Sequence, residues 1–179
     1  MSAAELWPFL AGCIACVTAA WAATLVVRRR AAKANAWIPR ELRDHRLAYA
    51  ERMFRTGSDK QLVARVDRAY RGRNGLITLV ELKTRRAHRA HLSDVIELSA
   101  QRVALEGDTG ELVAHIGWVV VESEGRRTAH RTPLMSPRAV WDLVSRRDAL
   151  LAGTELPGFP ATSGVCTTCA YRVRCRLHT

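Results

Sequence analysis

The stretch Gln61–Thr84, QLVARVDRAYRGRNGLITLVELKT, decides the fold. Two β-patterned runs, Gln61–Arg71 and Leu76–Thr84, flank Gly72-Arg73-Asn74-Gly75, whose Asn-Gly pair is a strong hairpin-turn signal. They read as an antiparallel pair. Side chains alternate along a strand, so Ile77, Leu79, Glu81 and Lys83 share one face while Thr78, Val80 and Leu82 share the other. A turn at 72–75 brings Asp67 next to Glu81 on the adjacent strand. Leu76–Val80 is apolar on both faces, the pattern of a buried central strand. An exposed Glu-Lys pair would be a weak surface ion pair, but charges closing a buried strand need a function. Two carboxylates and an ammonium converge. Their hard oxygens suit a divalent cation, and the lysine can stabilise or deprotonate a water beside it.

Working outward, Pro39 sits where a helix would begin, and Leu42, His45, Tyr49 and Met53 follow at helical spacing, which predicts a helix over about 39–55. On that face His45 reads by default as a core histidine. Leu92, Val95, Ile96, Ser99 and Val103 predict a helix over 89–106, ended by Gly107. Gln101 falls on its Asp94/Leu98/Gln101/Leu105 stripe, slightly off the apolar ridge. Glu111–Ser123 reads as a long strand, Glu124-Gly125 as a turn into a strand over 126–132, and Ser136–Leu151 as a helix opened by Ser-Pro. A helix between strands implies a crossover, and the order of elements predicts an α/β core with a mixed sheet.

The 179 residues suit one well-buried domain, and 48% hydrophobic with 25% charged residues excludes wholesale disorder and collagen-like architecture. The net charge of +11 suits a polyanion such as nucleic acid or an anionic membrane face. Only Lys33, Lys60 and Lys83 are lysines in a chain that otherwise writes arginine, which makes the ammonium at 83 conspicuous.

From Phe9 to Val27 the chain runs without a charge, FLAGCIACVTAAWAATLVV, long enough at 1.5 Å per residue to span a hydrocarbon core. It reads as one transmembrane helix. Arg28, Arg29, Arg30 and Lys33 follow the run instead of preceding it, which argues against a cleaved signal peptide and puts the bulk of the chain on the cytoplasmic side. The expectation is a single-pass protein of the inner (cytoplasmic) membrane: an anchor with basic flank at 1–30, a soluble domain at 31–165 and a cysteine-rich tail at 166–179. In a reducing compartment the cysteines are not read as disulfides, and Cys13 and Cys16 read as packing residues of the apolar helix.

Val66-Asp67 and Glu81-Leu82-Lys83, with His45 upstream and Gln101 downstream, resemble the PD-(D/E)xK nuclease superfamily, and within it the RecB-like branch that includes the CRISPR-associated exonucleases. The resemblance implies a restriction-endonuclease-like mixed sheet flanked by helices, here preceded by the transmembrane helix. It implies His45, Asp67 and Glu81 as ligands of Mg or Mn, Lys83 as the residue that activates water, and Gln101 as support for the site. The branch often carries tyrosine a few residues beyond its glutamine, where this chain has Arg102-Val103-Ala104-Leu105. Arg65, Arg68, Arg85, Arg86 and Arg89 are candidates to neutralise phosphates.

Cys166, Cys169 and Cys175 form C-x2-C-x5-C, a spacing at which three thiolates can converge on one soft metal. The branch joins a similar trio to a cysteine near its first helix as an iron–sulfur ligand set, but Trp37-Ile38-Pro39-Arg40 stands there in this chain. With His178 the tail is also a candidate zinc site of Cys3His type. The function expected is a membrane-tethered, metal-dependent nuclease hydrolysing DNA phosphodiesters. The alternatives are a catalytically inactive nuclease-fold DNA-binding adaptor at the membrane, and a basic domain docking on anionic lipid.

Overall fold

The computed structural model describes residues 21, 38–156, 158, 164–167, 169, 170 and 172–175. The predicted transmembrane run 9–27, the basic residues Arg28, Arg29, Arg30 and Lys33 after it, and His178 therefore lie outside the described residues, Trp21 excepted. Among the described residues no helix is long and apolar enough to cross a membrane. The chain divides into two compact units, Met1–Met135 and Ser136–Thr179.

The first unit carries five strands in the order β1-β2-β3-β4-β5: β1 Arg46–Thr56, β2 Leu62–Arg71, β3 Ile77–Thr84, β4 Ile116–Ser123 and β5 Arg126–Pro133. Only β3 and β4 pair in parallel. The crossover between them is α1, Leu92–Thr109, so the sheet is mixed for the reason the sequence predicted: a parallel neighbour needs a long return, and a helix supplies it. The two hairpins read from the sequence, β2–β3 and β4–β5, turn where glycine was read. Gly75 has φ 82°, and the two-residue loop Glu124-Gly125 has φ 52° and 75°, both left-handed as the tightest hairpin turn requires.

The sheet is covered differently on its two faces. On one, Leu98, Ala104 and Leu105 of α1 pack with Phe54, Val66, Ala69, Ile77, Leu79, Val119 and Val121. On the other, Leu42, Tyr70, Val80, Trp118 and Val120 form a second cluster. The expected face-sharing of Ile77 and Leu79 against Val80 thus holds. Where α1 passes β1, the Thr56 side chain lies so close over Gly107 that a Cβ there would collide with it; this glycine sits inside the helix instead of ending it. Gly110, at φ 71°, is the residue that ends it.

One element departs from expectation. Instead of a helix over 39–55 there is a short 3-10 turn, Arg40–Leu42, and then the eleven-residue strand β1. Its neighbour decides this. The 46–56 segment, rich in Ala, Leu, Arg, Glu and Met, has no strong strand bias, and a register shift between Leu47 and Tyr49 together with a left-handed Glu51 (φ 50°) breaks the period-two pattern. Pairing with β2 and burial of Phe54 override local propensity.

The second unit contains α2, Pro137–Leu151. The Ser136 hydroxyl accepts a hydrogen bond from the Ala139 amide at 3.2 Å, the N-cap that Ser-Pro predicts.

Candidate active site

The site forms where the β2–β3 ladder opens. Backbone pairing runs from Arg71↔Ile77 to Arg68↔Val80 and then stops. Beyond it the Leu82 amide donates to Asp67 Oδ2 at 3.0 Å, so the aspartate side chain stands in for a ladder carbonyl and is held beside β3. No donor among the described residues reaches Oδ1.

Glu81 and Lys83 point toward α1, as alternation required. Glu81 is 2% exposed. Its Oε1 lies 2.7 Å from Lys83 Nζ, and its Oε2 accepts from Gln101 Nε2 at 2.6 Å. Gln101 is 1% exposed: the Asp94/Leu98/Gln101/Leu105 stripe faces the core along its whole length. One turn earlier on α1, Glu97 Oε2 accepts from Lys83 Nζ at 2.7 Å.

Burial pushes the Glu81 carboxyl up to about 7, against the hydrogen bonds from Lys83 and Gln101, and repulsion from Asp67 and Glu97 adds to the rise. Burial works to lower Lys83, but hydrogen bonds and attraction from Glu81 and Glu97 outweigh it and hold the ammonium well above its ordinary range. Glu81 and Glu97 thus bracket one lysine, with Asp67 near enough to repel Glu81, and Gln101 Oε1 is buried with no partner. Such a site is short of positive charge and has an acceptor to spare. The residues fit a divalent cation, since Mg2+ is commonly held by one or two carboxylates with waters and substrate phosphates completing its shell. Asp67 and Glu81 are the residues that would hold it.

His45 is not part of this group. Arg46 pairs with Arg71, so His45 lies against Gly72 at the hairpin turn, in an open pocket with Glu41, Asp44, Arg73 and Asn74. From Asp67 to Gly72 is five residues of strand, about 16 Å at the rise of extended chain. Its expected ligand role depended on the predicted helix, and the strand carries it to the opposite end of β2. Among the described residues no three His, Cys, Asp or Glu side chains converge as a metal cluster. Among the described residues Cys166, Cys169 and Cys175 are free and do not form a metal-holding group, so the iron–sulfur set that the resemblance implied is not supported, and His178, the fourth member of the candidate zinc set, lies outside them.

The arginines also separate. Arg65 and Arg68 both donate to Glu51, at 2.5 and 3.1 Å. Arg85 clasps Asp94 at 2.5 and 3.0 Å, and with the His91 amide bonded to the same carboxylate it braces the start of α1. Burial works to raise the Asp94 carboxyl, but Arg85 and that amide outweigh it and hold it below its ordinary range. Arg86 and Arg89 are exposed, and neither is in an ion pair among the described residues. Glu97 and Glu51 were not singled out from the sequence. Glu97 lies one helical turn before Gln101, a spacing that places it on the same face. For Glu51 no local signal exists, because its place opposite Asp67 follows from the β1–β2 register.

The model of the PD-(D/E)XK nuclease superfamily matches residues 3–176. The chain belongs to that superfamily. No curated protein matches it. Among solved structures it is similar to one titled "Crystal structure of SSO0001", at 17% identity and a TM-score of 0.47, covering 97% of this chain and 79% of that one. Membership in the superfamily agrees with the mixed sheet, with a nuclease activity and with Mg or Mn as the customary metal.

Proposed function

We propose that this superfamily member is an active DNA nuclease, hydrolysing phosphodiester bonds with Mg2+ or Mn2+ held by Asp67 and Glu81. The observation that carries the reading is the gathering of Asp67, Glu81, Lys83 and Gln101 at the point where the hairpin ladder opens. A divalent cation there would supply Lewis-acid polarisation of a phosphoryl oxygen. The side chains do the rest. Gln101 holds the Glu81 carboxylate in one orientation, Lys83 directs an ammonium toward the attacking water and the charge that develops on phosphate, and exposed Arg86 and Arg89 neutralise neighbouring phosphates.

The RecB-like assignment is part of this proposal, supported by the spacing of Asp67, Glu81, Lys83 and Gln101. So is a single-pass inner-membrane anchor at 1–30 ahead of a nuclease domain at 31–165 facing the cytoplasm, supported by the uncharged run Phe9–Val27 and the basic residues after it. A carboxy-terminal reporter active only outside the cytoplasm would refute the topology. For the activity, full-length protein in detergent is incubated with single- and double-stranded DNA and Mg2+ or Mn2+. Lys83→Ala should lose about 10²–10⁴-fold in rate, as expected when a group assisting proton transfer is removed. Equal cleavage by wild type and Lys83→Ala refutes the site.

A further inference from the structure

Lys83 Nζ sits midway in a bridge, 2.7 Å from Glu81 Oε1 and 2.7 Å from Glu97 Oε2. The two carboxylates differ in kind. Glu81 is buried on the central strand, whereas the Glu97 side chain is 47% exposed on α1. Without a second partner, the ammonium would give all its charge to Glu81, the same oxygens that a divalent cation must take. With Glu97 in place, Lys83 can release Glu81 Oε1 to the cation and remain anchored to a carboxylate that stands half in solvent. Gln101, one turn further along α1, keeps Glu81 oriented through the change.

We propose that Glu97 is a positioning residue that acts through Lys83: it is the alternative seat of the ammonium, drawing it off Glu81 so that a divalent cation can bind there, and holding it beside the site afterwards. The proposal rests on the nuclease reading above and deepens it, since it assigns one carboxylate to control of metal loading and not to ligation.

The test is Mn2+ binding to the full-length protein, measured by titration calorimetry without DNA. Glu97→Gln should weaken Mn2+ binding about tenfold, within the range of couplings between residues in direct contact. Glu97→Asp keeps the charge but withdraws the carboxylate by one methylene, and should weaken binding comparably. In a Lys83→Met background Glu97→Gln should change the affinity by no more than about twofold. At saturating Mn2+, Glu97→Gln should lower kcat for DNA cleavage while leaving KM unchanged, a split that a merely structural role would not produce. An equal loss in both backgrounds overturns the proposal, because Glu97 then acts without Lys83. Wild-type affinity in Glu97→Asp also overturns it, because charge alone suffices. If Asp67→Asn binds Mn2+ as well as wild type does, the nuclease reading fails together with this one. If Asp67→Asn abolishes binding and the Glu97–Lys83 coupling is absent, only this proposal fails.

Discussion

Glu81→Gln should make the metal-free protein more stable while destroying its metal site. A carboxyl whose ordinary value is 4.5 and which burial raises to about 7 in the fold keeps its proton longer folded than unfolded. Between those two values the folded state binds more protons, so its stability falls as pH rises through the window. The full loss, complete above about pH 7, amounts to about 3 kcal/mol. Lys83, raised above its ordinary value, stabilises the fold below about pH 10 and loses that contribution only at higher pH, outside this window. The amide variant removes the ionisation and keeps the shape. In EDTA, its advantage over wild type should be small at pH 5 and should grow by about 2–3 kcal/mol by pH 8.5. At the usual sensitivity of a chain this size, the gain would raise Tm by roughly 4–12 °C. Comparing variant with wild type at each pH cancels the titrating groups that do not touch Glu81, and Lys83, which does, titrates above the window. Thermal and urea unfolding at the two pH values read the result, and adding Mg2+ should then stabilise wild type alone. A variant no more stable than wild type at pH 8.5, or one with the same gain at both pH values, refutes the claim that Glu81 is held against its own ionisation.

Other outcomes follow from the same geometry. Mn2+ affinity should rise about tenfold per pH unit below about 7 and level off above it, since Glu81 must give up its proton to hold a cation; calorimetry across pH 5.5–8.5 measures it, and a flat profile contradicts the site. Leu98→Ala, which hollows the face between α1 and the sheet, should cost about 2–5 kcal/mol in urea unfolding. Gly125→Ala, which places a Cβ at φ 75° in the β4–β5 turn, should cost about 1 kcal/mol, and no loss would count against the left-handed turn. Arg85→Ala strips the clasp from Asp94 and should destabilise by about 1–3 kcal/mol through the buried carboxylate left behind, with DNA affinity changed less than in Arg86→Ala.

The stretch 61–84 was decisive because its information is local. Asn-Gly set the turn, alternation set which side chains share a face, and the two together put Asp67 beside Glu81 and Lys83 without knowledge of any other element. The periodicity over 89–106 likewise marked a helix, but the ridge it named begins at Leu92, which is exposed, while the Asp94/Leu98/Gln101/Leu105 stripe is the one buried along its whole length; Glu124-Gly125 and Ser136-Pro137 marked a hairpin and a helix start that the structure contains. What needed the tertiary structure was everything fixed by partners distant in sequence. The 46–56 segment became a strand because β2 offered an edge and a pocket for Phe54, and that pairing took His45 from the expected site to the hairpin turn. The same register set Glu51 across from Asp67 and gave it Arg65 and Arg68 as partners. Gln101 was ambiguous on its helix until the sheet showed which way α1 faces. The opening of the ladder at Asp67, and Glu97 as the second hold on Lys83, depend on how α1 crosses β3. Side-chain periodicity names the residues on each face, while crossing and register decide which of them meet.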